Sequence, residues 1–253
     1  MATVLSLHCV GDLRAQSTSI SFTGATYNQS FDTLPNSGTF SFTGSGPFDL
    51  PTTTAGSLNG WAFRRTNAGN AAFRIDNGSL GNSGVYSYGT TGSGERALGS
   101  LAGGVVSSFG ALLVNNSGST INSIVISFTG EQWRQGVNTN TLAFQYSVGA
   151  TSIAVGTFTN ATALNFTSPH TGAAGALNGN LATNQVNVTA TITGLNWTAG
   201  SNLVIRWNDT NDAGADAGLA IDNFSFAIPE PGTVAVGVAA AALVGLVLRR
   251  RLS

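Results

Sequence analysis

Thr141-Leu142-Ala143-Phe144-Gln145-Tyr146-Ser147-Val148 sets Leu142, Phe144, Tyr146 and Val148 at every second position, against Thr141, Ala143, Gln145 and Ser147. That period of two predicts a strand with one apolar face and one wet face. The alternation returns at Val186, Val188, Ala190 and Ile192, at Leu203, Ile205 and Trp207, and at Ile124, Ile126 and Phe128. Turn clusters such as Asn115-Asn116-Ser117-Gly118, Gly194-Leu195-Asn196 and the stretch from Gly89 to Gly94 separate such runs. Ahead of the C-terminal tail, no window of about a dozen residues carries a helical period. Short strands joined by loops of Gly, Ser, Thr and Asn predict an all-β fold, an antiparallel β-sandwich or jelly roll. Ser-Phe-Thr-Gly recurs at Ser21 to Gly24, Ser41 to Gly44 and Ser127 to Gly130 without a common period, so it marks biased composition and not a repeat.

Composition narrows the classes. The chain has 253 residues, 42% hydrophobic and only 8% charged, with 33 Gly and no Lys. A typical soluble domain carries about 25% charged residues, so this surface is wetted by Ser, Thr, Asn and Gly. A net charge of -1 with this much apolar content excludes a disordered chain. The glycines follow no three-residue period, which excludes collagen. Without lysine there is no clustered cationic surface for phosphate, so nucleic acid is not an expected partner.

The two ends differ from the body. Residues 1–16 read as a truncated leader: Asp12 and Arg14 interrupt the apolar residues, and no cation precedes them. The only cysteine, Cys9, lies there, so an exported chain would hold no disulfide framework. A single β-sandwich domain is expected over 17–228. In the tail, 229–253, Pro229-Glu230-Pro231-Gly232 stops the last strand, and an uncharged apolar run follows over 233–248. Arg249, Arg250 and Arg251 close that run. Sixteen residues fall just short of the roughly 17–25 of a membrane-spanning helix, and snorkelling arginines can supply the difference. A single C-terminal transmembrane helix with its cations on the cytoplasmic side is therefore expected.

The order Pro-Glu-Pro, apolar helix, arginine cluster resembles the PEP-CTERM sorting signal of Gram-negative bacteria. That resemblance implies export, transient anchoring in the inner membrane, recognition by an exosortase, cleavage near Pro229-Glu230-Pro231, and release to the cell surface or exopolysaccharide matrix. The body resembles the noncatalytic β-sandwich segment that accompanies some bacterial extracellular nucleases. The stretches that carry this likeness run from Tyr27 to Pro35, Glu95 to Gly99, Phe128 to Arg134 and Gly218 to Asn223. The nuclease catalytic region has no counterpart, so the resemblance implies no nuclease activity.

Chemistry concentrates in few places. Asp209, Asn211, Asp212 and Asp216 crowd one glycine-containing loop, and Asp222 follows it. Dense hard oxygen ligands suit Ca²⁺, although the spacing is not that of an EF-hand, and a solvated turn uses the same residue types. Leu219 and Ile221 share one parity while Phe224 and Phe226 share the other, which predicts a bulge at Asp222-Asn223 that turns Asp222 towards the loop. The only imidazole outside the leader is His170, which excludes a His/Cys zinc site and leaves a Ser/His/Asp triad without a nucleophile elbow. Glu95 and Glu131 are the natural glycosidase pair, set against ion pairing with Arg96 or Arg134. Trp61, Trp133 and Trp197 lie beside loops, and Trp133 with Arg134 is the chosen sugar contact, a ring for stacking and a cation for orientation.

Three readings follow. The first is an exported, noncatalytic surface or exopolysaccharide-matrix protein. The second is a calcium-dependent carbohydrate-binding module, and the third a glycoside hydrolase using Glu95 and Glu131.

Overall fold

The computed structural model describes residues 16, 18–38, 40–66 and 69–230. The leader to residue 15, Pro231, the apolar run 233–248 and the cluster Arg249, Arg250 and Arg251 lie outside the described residues. Pro229 and Glu230 follow the last strand outside any regular element. Among the described residues no helix is long and apolar enough to cross a membrane.

Thr141–Val148 is a strand, paired antiparallel with Asn202–Asp209 so that Phe144 faces Trp207 across the ladder. Asn202–Asp209 pairs in turn with Ser107–Asn115, which pairs with Trp61–Arg65, and Phe48–Asp49 closes that side. Ile20–Phe22 joins Ser107–Asn115 in parallel. In the second sheet the long strand Ile121–Gln135 lies between Gln185–Trp197 and Gly218–Ala227. Ala97–Leu101, Gly84–Tyr88, Asn70–Asp76 and Phe40–Thr43 continue it. Two pairings, Ile20–Phe22 with Ser107–Asn115 and Asn70–Asp76 with Gly84–Tyr88, are parallel, so the sandwich is mixed and not wholly antiparallel.

The core is aromatic. Trp207 sits at its centre with Phe144 at 5.0 Å, Phe128 at 5.3 Å and Phe109 and Phe224 at 5.9 Å between ring centroids. Such rings each remove about 150–250 Å² from water, worth several kcal/mol at about 25 cal/mol per Å². This lets a chain poor in charged residues hold two sheets together. The alternation that predicts Thr141–Val148 holds for Leu142 and Phe144 and then slips, with Ser147 buried and Val148 exposed at the strand end.

The expected bulge is present. Ser127 pairs with Ser225 while Thr129 pairs with Asp222, one residue intervening on one strand and two on the other. Asn223 takes up the extra length in the left-handed region at φ 50°. Leu219, Ile221, Phe224 and Phe226 consequently all reach the core despite their change of parity. Asp222 and Ala220 point to the opposite, outer face, where Tyr86, Tyr88, Ala97, Leu101, Trp133 and Ala220 form a second buried cluster. The backbone over this cluster is held by Leu177 N donating to the Trp133 carbonyl at 2.8 Å. Gly179 packs so closely that a Cβ there would lie 2.3 Å from Trp133 Nε1, and only glycine fits.

Candidate functional site

Three adjacent strands bring acids from distant parts of the sequence to that outer face. Glu131 lies opposite Ala220, and Ala220 opposite Gly99. Asp222 is two residues on from Ala220, and Glu95 precedes the strand that begins at Ala97. Alternation therefore places all three carboxylates on one side of the sheet. One oxygen from each of Glu95, Glu131 and Asp222 lies within 4.8 Å of the others.

Neutral N–H groups hold the trio. Trp133 Nε1 donates to Glu131 Oε2 at 2.9 Å and Gln185 Nε2 to Glu131 Oε1 at 3.0 Å. Asn180 Nδ2 donates to Glu95 Oε2, and Asn223 Nδ2 to Asp222 Oδ2 at 2.9 Å. Asp222 Oδ1 is buried without a hydrogen-bond partner. Burial pushes Glu131 up to about 8, with the Trp133 bond opposing it and the charges of Asp222 and Glu95 adding to it. Asp222 is pushed up to about 7, again chiefly by burial, with Glu95 and Asp32 adding like charge. Asp32 is itself fixed near this face by the Arg96 amide at 3.2 Å.

The arginines expected to pair with these acids aim their hydrogen bonds elsewhere, although the charge of Glu95 still acts on Arg96. Arg96 Nε donates to Ser87 Oγ at 2.8 Å, and its Nη2 to the Ser87 carbonyl. Arg134 Nη1 donates to the carbonyls of Gly78 and Ser79, each at 3.0 Å. The structure thus brings the expected dyad of Glu95 and Glu131 together, but Glu131 is only 1% exposed, so a sugar ring has no access to its carboxylate.

The acid loop is arranged differently. Asp209 is buried, accepts from Ser100 Oγ of the other sheet at 2.7 Å, and is pushed up to about 7 by burial, with Asp216 and Asp212 contributing. Asn140 sits inside the loop: its Nδ2 donates to Asp212, and its Oδ1 accepts from Ala217 N at 2.7 Å. Asp216 Oδ1 accepts from Asp212 N at 3.0 Å, and Asn211 Oδ1 from Gly104 N at 2.6 Å. Asp212 and Asp216 therefore share a hydrogen-bonded turn around Asn140, Asp209 and Asn211 bond outward to Ser100 and Gly104, and Asp222, expected to join them, belongs to the trio instead. The bulge turns it towards Glu95 and Glu131.

Trp133 is no platform. It is wholly buried, stacked on Tyr88 at 5.9 Å with 4° between planes, and Trp61 and Trp197 are buried too. The reason is local: Trp133 shares the parity of Glu131 and meets the cover over the outer face. His170 is also occupied, its Nε2 lying 2.7 Å from the Thr183 carbonyl. Arg134, half-buried, does reach an open groove of about 370 Å³, lined in part by Asn82, Ser83, Asn211 and Asp216.

No protein-family model matches the chain, and no curated protein matches it. Among solved structures it overlaps the CBM22-1 xylan-binding domain of Paenibacillus barcinonensis Xyn10C at 14% identity, covering 84% of this chain and 97% of that one with a TM-score of 0.37. The xylan-binding module CBM15 overlaps at 13% identity, over 74% of this chain and 99% of that one, with a TM-score of 0.35. TmCBM61, in complex with β-1,4-galactotriose, overlaps at 12% identity, over 67% of this chain and 88% of that one, also at 0.35. These overlaps are too loose to carry a site or a ligand to this chain. What the structure defines by itself is an all-β, two-sheet sandwich with a carboxylate trio, two of its three members buried, and an open polar groove.

Proposed function

We propose that the chain is an exported, noncatalytic protein of the cell surface or exopolysaccharide matrix, sorted through a PEP-CTERM-like tail, and that its sandwich contacts polysaccharide at the Arg134 groove. The groove carries this reading. It gathers a guanidinium, two side-chain amides, a hydroxyl and a carboxylate around one open concavity, the kind of sparse polar set that orients a sugar by its hydroxyls. The acids able to act as a dyad lie closed off on the outer face. Affinity electrophoresis of the full chain against a panel of neutral and acidic polysaccharides should show retardation by at least one polymer. Arg134→Ala combined with Asn211→Ala should remove it. Equal mobility in every gel would end the polysaccharide reading.

Asp216 lines the groove and belongs to the acid loop, but its Oδ1 accepts from the Asp212 amide, so the contact is read as independent of calcium. EDTA should then leave the retardation unchanged. The sorting half of the proposal rests on Pro229, Glu230 and Pro231 with the arginines 249–251. Cell fractionation with mass spectrometry of the C-terminus should find a chain ending near Glu230 outside the inner membrane. An intact chain confined to the cytoplasm would overturn export and exosortase processing together.

A further inference from the structure

The trio on the outer face gathers three carboxyl groups with no cationic hydrogen-bond partner among the described residues. Its recorded partners, Trp133, Gln185, Asn180 and Asn223, are all neutral donors. These donors take both oxygens of Glu131 and one oxygen each of Glu95 and Asp222, and since a carboxylate offers about four acceptor sites, lone pairs remain on all three. Asp222 is 4% exposed, and its Oδ1 has no hydrogen-bond partner among the described residues. An unpartnered buried acceptor costs on the order of 1–3 kcal/mol, more if charged, and the surrounding strands could have closed it with an apolar residue.

We propose that Glu95, Glu131 and Asp222 form a calcium site that locks segment 177–185 over the second sheet. The dimensions agree. Ligands on opposite sides of Ca²⁺, at about 2.3–2.6 Å each, stand about 4.6–5.2 Å apart, and the three oxygens here lie within 4.8 Å of one another. All donors are oxygen, which selects a hard cation. Mg²⁺ sheds its waters reluctantly and demands a near-ideal octahedron. Two of the three carboxylates are 1% and 4% exposed, which leaves little room for retained waters. Calcium accepts the irregular geometry that three strands impose.

The lock follows from what the acids hold. Glu95 and Glu131 bind Asn180 and Gln185, at two points of segment 177–185, and Asn184 Nδ2 ties that segment internally to the Asn178 carbonyl at 2.8 Å. Drawing the carboxylates together on a cation tightens both attachments. Without it, mutual repulsion loosens them. This site is independent of the groove and of the acid loop, so loss of polysaccharide retardation would leave it standing, and its own failure would leave the groove untouched.

The full chain at pH 8 should be titrated with TbCl₃ under tryptophan excitation, then with CaCl₂. Trp133 touches Glu131, so bound Tb³⁺ should emit strongly and calcium should displace it. Glu131→Gln and Asp222→Asn should each weaken binding at least tenfold, and Asp212→Asn should leave it unchanged. If Glu131→Gln fails to fold, the half-exposed Glu95→Gln takes its place. CaCl₂ should also slow hydrogen exchange of the amides in 177–185 in the unaltered protein. Absence of both emission and calcium-dependent protection would overturn the site. So would loss of binding in Asp212→Asn, and equal affinity for MgCl₂ would overturn its assignment to calcium.

Discussion

The acid loop and the outer-face trio use the same side chains to opposite ends. Asp209, Asp212 and Asp216 are close in sequence, and their oxygens are largely spent on hydrogen bonds within a turn organised by Asn140 and Ser100. Glu95, Glu131 and Asp222 are far apart in sequence, yet strand register converges them until only neutral donors separate them from repulsion. Proximity along the chain builds a turn. Proximity across a ladder builds a concave cluster, because successive strands present side chains of one parity to one face.

The largest test of this contrast is Trp133. Its ring stacks on Tyr88 and its Nε1 holds Glu131, so Trp133→Ala removes packing and a buried hydrogen bond together. Urea unfolding should show a loss of about 3–5 kcal/mol. A loss under about 1 kcal/mol would mean that the outer-face cluster is not a structural unit and that the trio lacks a rigid wall. The same truncation is the notional test of Trp133 as a sugar platform, but its complete burial makes a stability loss the expected outcome.

Much of this fold is legible in the chain. Leu203, Ile205 and Trp207 alternate because that strand has one face on the core, and the structure buries all three. The parity change before Phe224 announces the bulge, since only an inserted residue lets both halves of the strand face inward. The trio is less legible. Periodicity gives the face of a side chain within its own strand, but which strands become neighbours, and in what register, is decided by long-range pairing. One signal was available: each stretch that carries the body's resemblance contains one acid of this region, Asp32, Glu95, Glu131 and Asp222. Trp133 misleads for a physical reason too, because an indole beside a loop satisfies its N–H as well on a buried carboxylate as on a ligand.

Asp209 sharpens the contrast through pH. Folding raises its pKa from 3.8 to about 7, burial being the main cause. The folded state therefore keeps a proton that the unfolded chain releases. This contribution to stability is complete below about pH 4 and is lost as pH rises through about 7. At about 1.4 kcal/mol per pH unit the ceiling is about 4 kcal/mol. Asp209→Asn fixes the neutral form, so relative to the unaltered protein the variant should gain stability steadily between pH 4 and about pH 7 and level off above it. Chemical denaturation at several pH values measures this difference. A constant difference across the range would mean that Asp209 stays ionised, and the loop would then carry an uncompensated buried charge.

Asn140 gives the smallest and most discriminating effect. It is 2% exposed, and it answers an acceptor in the loop with its amide nitrogen and a backbone N–H with its oxygen. Asn140→Ala leaves Asp212 without that donor and Ala217 N without its acceptor, at a cost of about 1–3 kcal/mol. Asn140→Asp keeps the shape but replaces the donor with a third carboxylate beside Asp212 and Asp216. If the loop is a hydrogen-bonded turn, Asn140→Asp should be the less stable of the two, and CaCl₂ should not recover it. Recovery by calcium would show that the loop becomes a cation site once its amide is replaced by an acid. The two regions would then differ in one buried oxygen: amides answer carboxylates in both, but Asp222 Oδ1 in the trio has no partner among the described residues.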